Sequence, residues 1–168
     1  MTGPQNIEYE RFVLGACLLY PELLHAARPT LTPDDFSLED HRRVWLRITD
    51  LYDVGHGVDR GTVWHALNQH GQGQACGGLT GLVTLTEGVP QVANLDAYVH
   101  GVKDAALLRS IISASQHTIN RCMEGVETPQ AILDSLGQTA LTLRPQECSA
   151  GLRSVAEIID SVGILTPC

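Results

Sequence analysis

Few residues in this 168-residue chain have the types and spacing for chemistry. Asp34 and Asp35 stand side by side, and paired carboxylates can hold a metal ion or divide the work of an acid and a base. His56, His65 and His70 lie downstream, so a small hydrolase built from these aspartates and histidines is the one catalytic reading on offer. Spacing argues against it. No two of the three histidines have the i, i+4 placement of a helical zinc site, and nothing near the aspartates has ligand spacing. The stretch Gly71 to Gly78 holds four glycines but lacks the lysine and the preceding strand of a phosphate loop. The only lysine, Lys103, is followed by Asp104, so no loop of the Gly-Lys-Ser/Thr type is present. Five cysteines, Cys17, Cys76, Cys122, Cys148 and Cys168, are scattered without a CxxC pair, which fits neither a disulfide framework nor a zinc site. Cys17 and Cys122 fall on apolar stripes and are expected to be small buried side chains. No catalytic residue, cofactor site or metal site is expected.

Composition narrows the class further. Hydrophobic residues at 43% and charged residues at 18% are globular values, and the length suits one domain with an appendage. The formal net charge of −8, from 11 Lys+Arg against 19 Asp+Glu, argues against a large phosphate-binding surface, so strong direct binding of nucleic acid is not expected. No apolar run approaches the roughly 20 residues that span a bilayer, and the opening residues lack a signal peptide's basic start and apolar core. No membrane partner is expected, and the protein is expected to be cytoplasmic.

No segment alternates as a half-buried strand does, so the expected fold is all-α. Asn6 caps a first helix that is apolar nearly all round from Phe12 to Tyr20, and Gly15 within it marks close approach of a neighbouring helix. After the break at Pro21 comes a short helix over Glu22 to Ala27 and a connection from Pro29 to Phe36. Ser37 and Asp40 have capping-box spacing and open a helix with Val44, Trp45, Ile48, Leu51 and Tyr52 on its apolar side and Arg42, Arg43 and Arg47 on a solvated one. Asp59 caps the next helix, with Val63, Trp64 and Leu67. A further helix over Leu79 to Thr86 turns Leu79, Leu82 and Val83 inward.

The longest periodic stretch runs from Asn94, its expected cap, to Leu143. Tyr98, Val102, Ala105, Leu108, Ile112, Ser115, Ile119 and Cys122 recur at steps of three and four, one continuous stripe down a helix of about seven turns. Gly125 can stop that helix in the left-handed conformation, and Thr128 with Pro129 starts another. Leu133, Leu136, Ala140 and Leu143 repeat the spacing, so the two stripes are expected to zip into an antiparallel hairpin. Ala105, Ala106, Ser113, Ala114 and Ser115 keep part of the long helix thin enough for another backbone to approach. The stripe is either internal core or a subunit interface. Beyond a polar linker, Val155, Ile158, Ile159 and Val162 recur at helical spacing over Ser154 to Gly163, a candidate docking helix for its own domain or a neighbour. The domain plan is therefore a helical domain at 1–144, with head 1–92 and hairpin 93–144, followed by linker and docking helix at 145–168.

Taken in order, the run Pro4-Gln5-Asn6-Ile7-Glu8-Tyr9-Glu10, Val13-Leu14-Gly15, Leu18-Leu19-Tyr20-Pro21-Glu22, Leu31-Thr32-Pro33-Asp34-Asp35-Phe36, His41-Arg42, Val58-Asp59, Gly77-Gly78-Leu79, Ala93-Asn94-Leu95, Tyr98 and Arg109 resembles the N-terminal domain of the DnaB-type hexameric replicative DNA helicases. The resemblance spans Pro4 to Leu143. It implies a compact helical head topped by a protruding hairpin, and hairpins that pair between subunits to build the collar of a ring. It also implies docking of the C-terminal domain of a DnaG-type primase on that collar and contact with a helicase loader. In the family, ATP hydrolysis and the DNA grip belong mainly to a C-terminal motor, and the linker helix hooks one subunit to the next motor. With no motor sequence following, the chain is expected to be an excised domain or a natural truncation that does not unwind DNA by itself. The expected function is a noncatalytic assembly module, with Tyr98, Val102, Ala105, Leu108, Ile112, Ile119, Leu133 and Leu136 as interface residues and Val155, Ile158, Ile159 and Val162 as the docking stripe. The alternative is a stand-alone regulator that copies the collar and hetero-pairs with helicase rings. Gly61 and Gly81 replace the bulkier residues the resemblance leads one to expect, so the fourth and fifth helices are expected to pack less tightly.

Overall fold

The computed structural model describes residues 3–89 and 94–143, and all regular structure in them is helical. Seven α-helices follow in order: α1 Ile7–Leu19, α2 Leu24–Ala27, α3 Glu39–Asp53, α4 Arg60–Gln69, α5 Gly78–Thr86, α6 Leu95–Glu124 and α7 Pro129–Leu143, with single 3₁₀ turns at Pro21–Leu23, Pro33–Asp35 and Gln74–Cys76.

α1 is the central helix. Its side chains Val13, Leu14, Ala16, Cys17 and Leu18 are all buried, as the apolar run predicts, whereas Leu19 and Tyr20 at its end are exposed, and it packs against α3, α5 and α6. The Asn6 side chain accepts a hydrogen bond from the Tyr9 amide at 3.4 Å, closing the predicted cap. Gly15 has the expected reason. A Cβ there would lie 2.2 Å from the Leu85 carbonyl oxygen and 2.7 Å from Val89 Cγ2, so the end of α5 can cross α1 only where there is no side chain. Phe36 and Trp45 pack with ring centroids 5.3 Å apart and planes tilted by 36°, and Val44, Ile48, Val63, Leu67 and Leu82 are buried in the same core.

Several local expectations give way to longer-range contacts. Ser37 does not cap α3, which begins after Leu38 with no side-chain cap. The Ser37 amide instead donates to Glu10 Oε1 at 2.8 Å, and Glu10 Oε2 pairs with His41 Nδ1 at 2.8 Å. A buried carboxylate thus ties α1 to the entry of α3. Asn94 makes no cap bond either, because its backbone at φ −103° and ψ 10° is outside the extended region that aims a cap side chain at the first amides. Leu79 lies exposed on α5, where Leu82 and Leu85 are the inward pair. Arg47 is not on a solvated face: its side chain is mostly covered and pairs with Asp50 at 3.1 Å. At Gly61 and Gly81 the local turns leave little room for a side chain. A Cβ at Gly81 would meet the Cys76 carbonyl oxygen at 2.3 Å, and one at Gly61 the Asp59 carboxylate that caps α4 at 3.2 Å. Asp59 itself accepts from the Gly61 and Thr62 amides at 2.7 and 2.9 Å, as predicted.

Two measurements check this packing. Gly15→Ala is expected to lower the unfolding free energy by about 3 kcal/mol, read by thermal or urea denaturation, because the carbonyl of Leu85 is backbone and cannot turn aside. For Glu10, burial pushes the carboxyl pKa up, but hydrogen bonds from His41 and Ser37 outweigh it and leave the value below the ordinary 4.5. A depressed folded-state pKa means stability that is full above the ordinary carboxylate range and lost as pH falls through the folded value. Glu10→Gln is therefore expected to cost stability at pH 7 and to flatten the acid limb of the stability profile below about pH 4.5 relative to the parent chain.

Candidate protein interface

The sequence's candidate chemical groups are dispersed or used for structure. Asp34 is exposed while Asp35 is buried. Asp35 Oδ2 accepts from the Thr32 amide at 2.7 Å and from Thr32 Oγ1 at 3.0 Å, and Lys103 Nζ donates to both carboxylate oxygens at 3.0 and 2.8 Å. Arg109 donates to the backbone carbonyls of Asp35 at 2.6 Å and Pro4 at 3.1 Å. Two of the cations of α6 thus clamp the helix to the 3₁₀ turn at Pro33–Asp35 and to the N-terminal strand of chain. His56, His65 and His70 are all exposed, and among the described residues no group of three or more His, Cys, Asp or Glu could hold a metal ion. Cys17 and Cys76 are buried, and burial pushes the Cys17 thiol up to about 12, which makes it inert at neutral pH. Cys122 is exposed, against expectation, because the face of α6 that carries it meets no other helix. No described helix is long and apolar enough to cross a membrane.

The stripe on α6 divides in two. Tyr98, Val102 and Ala105 belong to the head and are not open to a second chain: Val102 and Ala105 are buried, and Tyr98 packs on the rings of Tyr9 at 5.1 Å and Phe12 at 5.2 Å. Past the Arg109 clamp the helix leaves the head. Beside the clamp Leu108, and beyond it Ile112 and Ile119, are 49%, 52% and 53% exposed, so they do not zip against α7. The seam with α7 runs along a neighbouring row instead, where Ala114, Thr118 and Arg121 line a space shared with Ser135 and Thr139. Arg121 fastens the hairpin tip through Glu127, donating from Nε at 2.7 Å and pairing again through its terminal nitrogen, and donates to Ser135 Oγ at 2.8 Å. Gly125 turns the chain at φ 62°, and the Ala131 amide bonds Thr128 Oγ1 at 3.4 Å, so the predicted turn and cap form.

On α7 the buried residue is Ile132, one position from the predicted Leu133, which is 59% exposed; Leu136 is 42% exposed. A three-to-four periodicity identifies a row of apolar residues but not which of two adjacent rows meets the partner helix. The missed rows carry the seam's two flanks. One is hydroxyl-rich, a groove of about 450 Å³ lined by Ser110, Ser113, His117, Arg121, Ser135 and Thr139. The other is apolar, a groove of about 390 Å³ lined by Leu107, Ile111, Leu136, Ala140 and Leu143 among others. Around the α6 helix the apolar flank continues into the Leu108, Ile112 and Ile119 row. From 110 to 143 the only formally charged residues are Arg121, Glu124, Glu127 and Asp134. The protruding half thus presents a broad apolar face with almost no charge. The stripe Val155, Ile158, Ile159 and Val162 lies outside the described residues.

The family model for the DnaB-like helicase N-terminal domain matches residues 2–104. The chain belongs to the DnaB-like helicase N-terminal domain family. Among solved structures, the N-terminal domain of DnaB helicase from Mycobacterium tuberculosis superposes with a TM-score of 0.77 at 31% identity, covering 82% of this chain and 98% of that one. A DnaB-like replicative helicase, described together with its interactions with primase, shares the fold at a TM-score of 0.70 and 20% identity, over 96% of this chain and 36% of that one. In sequence, the chain is 27% identical over 156 residues to the replicative DNA helicase DnaC of Bacillus subtilis (strain 168) and 28% identical over 156 residues to the replicative DNA helicase DnaB of Geobacillus stearothermophilus. These alignments cover 93% of this chain and 34% of each relative, so the chain spans about a third of the length of the curated relatives it matches. The DnaB-like family match ends within α6, ahead of the Arg109 clamp, and the Mycobacterium structure extends the likeness further along the fold.

The clamp at the base of the hairpin gives a direct check on the role of Asp35. Asp35→Ala is expected to lower unfolding free energy by about 2 kcal/mol or more, because it strips a buried cap and leaves Lys103 without its partner. Asp34→Ala is expected to change it by less than about 0.5 kcal/mol. Parallel chemical denaturation of the two variants measures both.

Proposed function

We propose that this domain is a noncatalytic assembly module of a replicative helicase, in which the apolar flank of the hairpin pairs with the same flank of a second copy and the resulting collar receives primase. The observation that carries this reading is the exposure of Leu108, Ile112 and Ile119 on a helix that stands clear of the head. Isolated apolar side chains on a surface are ordinary, but a continuous face on a protruding element with few charges is the composition of an interface core. Isologous pairing needs one surface that complements itself, and an uncharged stripe interrupted only by Ser115 meets that need without opposing like charges. Leu133 and Leu136 extend the same interface onto α7. The primase part of the reading is supported by the related helicase whose structure is described with its primase interactions. In such a collar primase would be held at raised effective concentration beside the strand being unwound. A helicase loader is the second partner this reading includes.

Molar mass by light scattering over a wide concentration range tests the pairing. The parent chain is expected to approach twice its monomer mass, and Ile112→Asp to weaken pairing about a hundredfold while leaving the head's unfolding transition in place. Ser113→Asp, on the hydroxyl-rich flank, is expected to leave pairing within about threefold of the parent. A parent chain that stays monomeric at every concentration would overturn the reading. Titration calorimetry of the paired chain with a primase C-terminal domain tests the partner, and absence of heat and of binding by a second method removes primase from it.

A further inference from the structure

The apolar groove between α6 and α7 opens beside the last described residue, and the chain goes on from there. Leu107 and Ile111 form one wall and Leu136, Ala140 and Leu143 the other. Leu136 and Ile111 are exposed although they face a common space, so among the described residues no third element fills the groove. Its walls run about eight residues along each helix, or about 12 Å.

The continuation of this chain has the matching chemistry. Wound as a helix, Val155, Ile158, Ile159 and Val162 share one side over about two turns, and Arg153, Glu157 and Asp160 fall on the other. The apolar side is as long as the groove and as free of charge as its walls. A helix this short is not stable alone in water and needs such a surface. Eleven residues, 144–154, separate Leu143 at the groove's end from Val155, the first of the four apolar residues. A random coil of that many residues has a root-mean-square reach of about 18 Å, enough to return along the groove without stretching. A tether of that length holds the segment at an effective concentration of order millimolar.

We propose that segment 154–163 packs as a third helix in the α6/α7 groove of its own hairpin, with Ile158 and Ile159 between Ile111 and Leu136. The groove adjoins the Leu108, Ile112 and Ile119 row, so the docked segment covers part of the flank assigned to pairing and competes with a second copy. This regulatory consequence rests on the pairing reading; the docking itself does not. Release of the segment, when something else binds it, would expose the full flank and favour pairing.

Hydrogen exchange on the full chain tests the docking at concentrations too low for pairing. Amides of 154–163 are expected to exchange at least about tenfold more slowly than a free peptide of the same sequence, equally at every concentration. The double variant Ile158→Asp and Ile159→Asp is expected to return 154–163 to free-peptide rates and to speed exchange in 136–143. Free-peptide rates in the parent would overturn the proposal, and so would protection that appears only as concentration rises, which would place the segment on another molecule. By light scattering, the double variant is expected to pair about tenfold more tightly than the parent. Unchanged or weaker pairing would overturn the competition. A chain that never pairs while 154–163 stays protected would refute the pairing reading and leave the docking standing.

Discussion

The structure depends on one helix that must satisfy two environments at once. Over its first turns α6 is a core helix, with Leu95, Val99, Val102, Ala105 and Ala106 buried against α1 and the head. Thirty residues long, it extends about 45 Å, well past anything the head can cover. At the crossing point the apolar contacts are supplemented by charge: Lys103 to the buried Asp35 carboxylate, and Arg109 to the carbonyls of Asp35 and Pro4. These bonds fix the direction in which the rest of the helix leaves, because two cations on successive turns bind groups of the head itself. The glycine at position 15 serves the same arrangement from the other side, by letting α5 cross α1 closely enough for the central helix to be enclosed.

Much of this was legible in the residues. The all-helical fold, the buried first helix, the close approach at Gly15, the Asp59 cap and the turn at Gly125 follow from local rules, and local rules hold where the deciding partners are near in sequence. The failures share a physical cause. Ser37 and Asp40 have the spacing of a capping box, but Glu10, 27 residues away from Ser37, takes the Ser37 amide. A stripe of apolar residues on α6 reads as one surface because its period is unbroken, yet Tyr98, Val102 and Ala105 meet the head while Leu108, Ile112 and Ile119 stay about half exposed among the described residues. Periodicity reports that a face is apolar and is silent on where its partner ends. On α7 the same limit shifts the seam by one residue, from Leu133 to Ile132, because a row and its neighbour differ by a rotation that only packing decides.

A hairpin held by its base and nearly free of charge along its length is suited to joining molecules. Its internal seam is not densely packed: grooves lie on both sides, and Arg121 with Glu127 and Ser135 fastens the far end by hydrogen bonds more than by burial. Its two flanks differ in chemistry, hydroxyl-rich on one side and aliphatic on the other. That difference gives the element a direction, so association through it would select one geometry.

The most direct measurement is an isotope-filtered nuclear Overhauser experiment on an equimolar mixture of labelled and unlabelled chain, which sees only contacts between molecules. The account predicts intermolecular contacts among the methyl groups of Leu108, Ile112 and Ile119, with none from the core methyls of Val102 or Ile48. Intermolecular contacts confined to exposed residues of the head, such as Leu46 and Val54, would contradict it by showing that copies meet elsewhere and that the hairpin's apolar flank is not the surface that joins them.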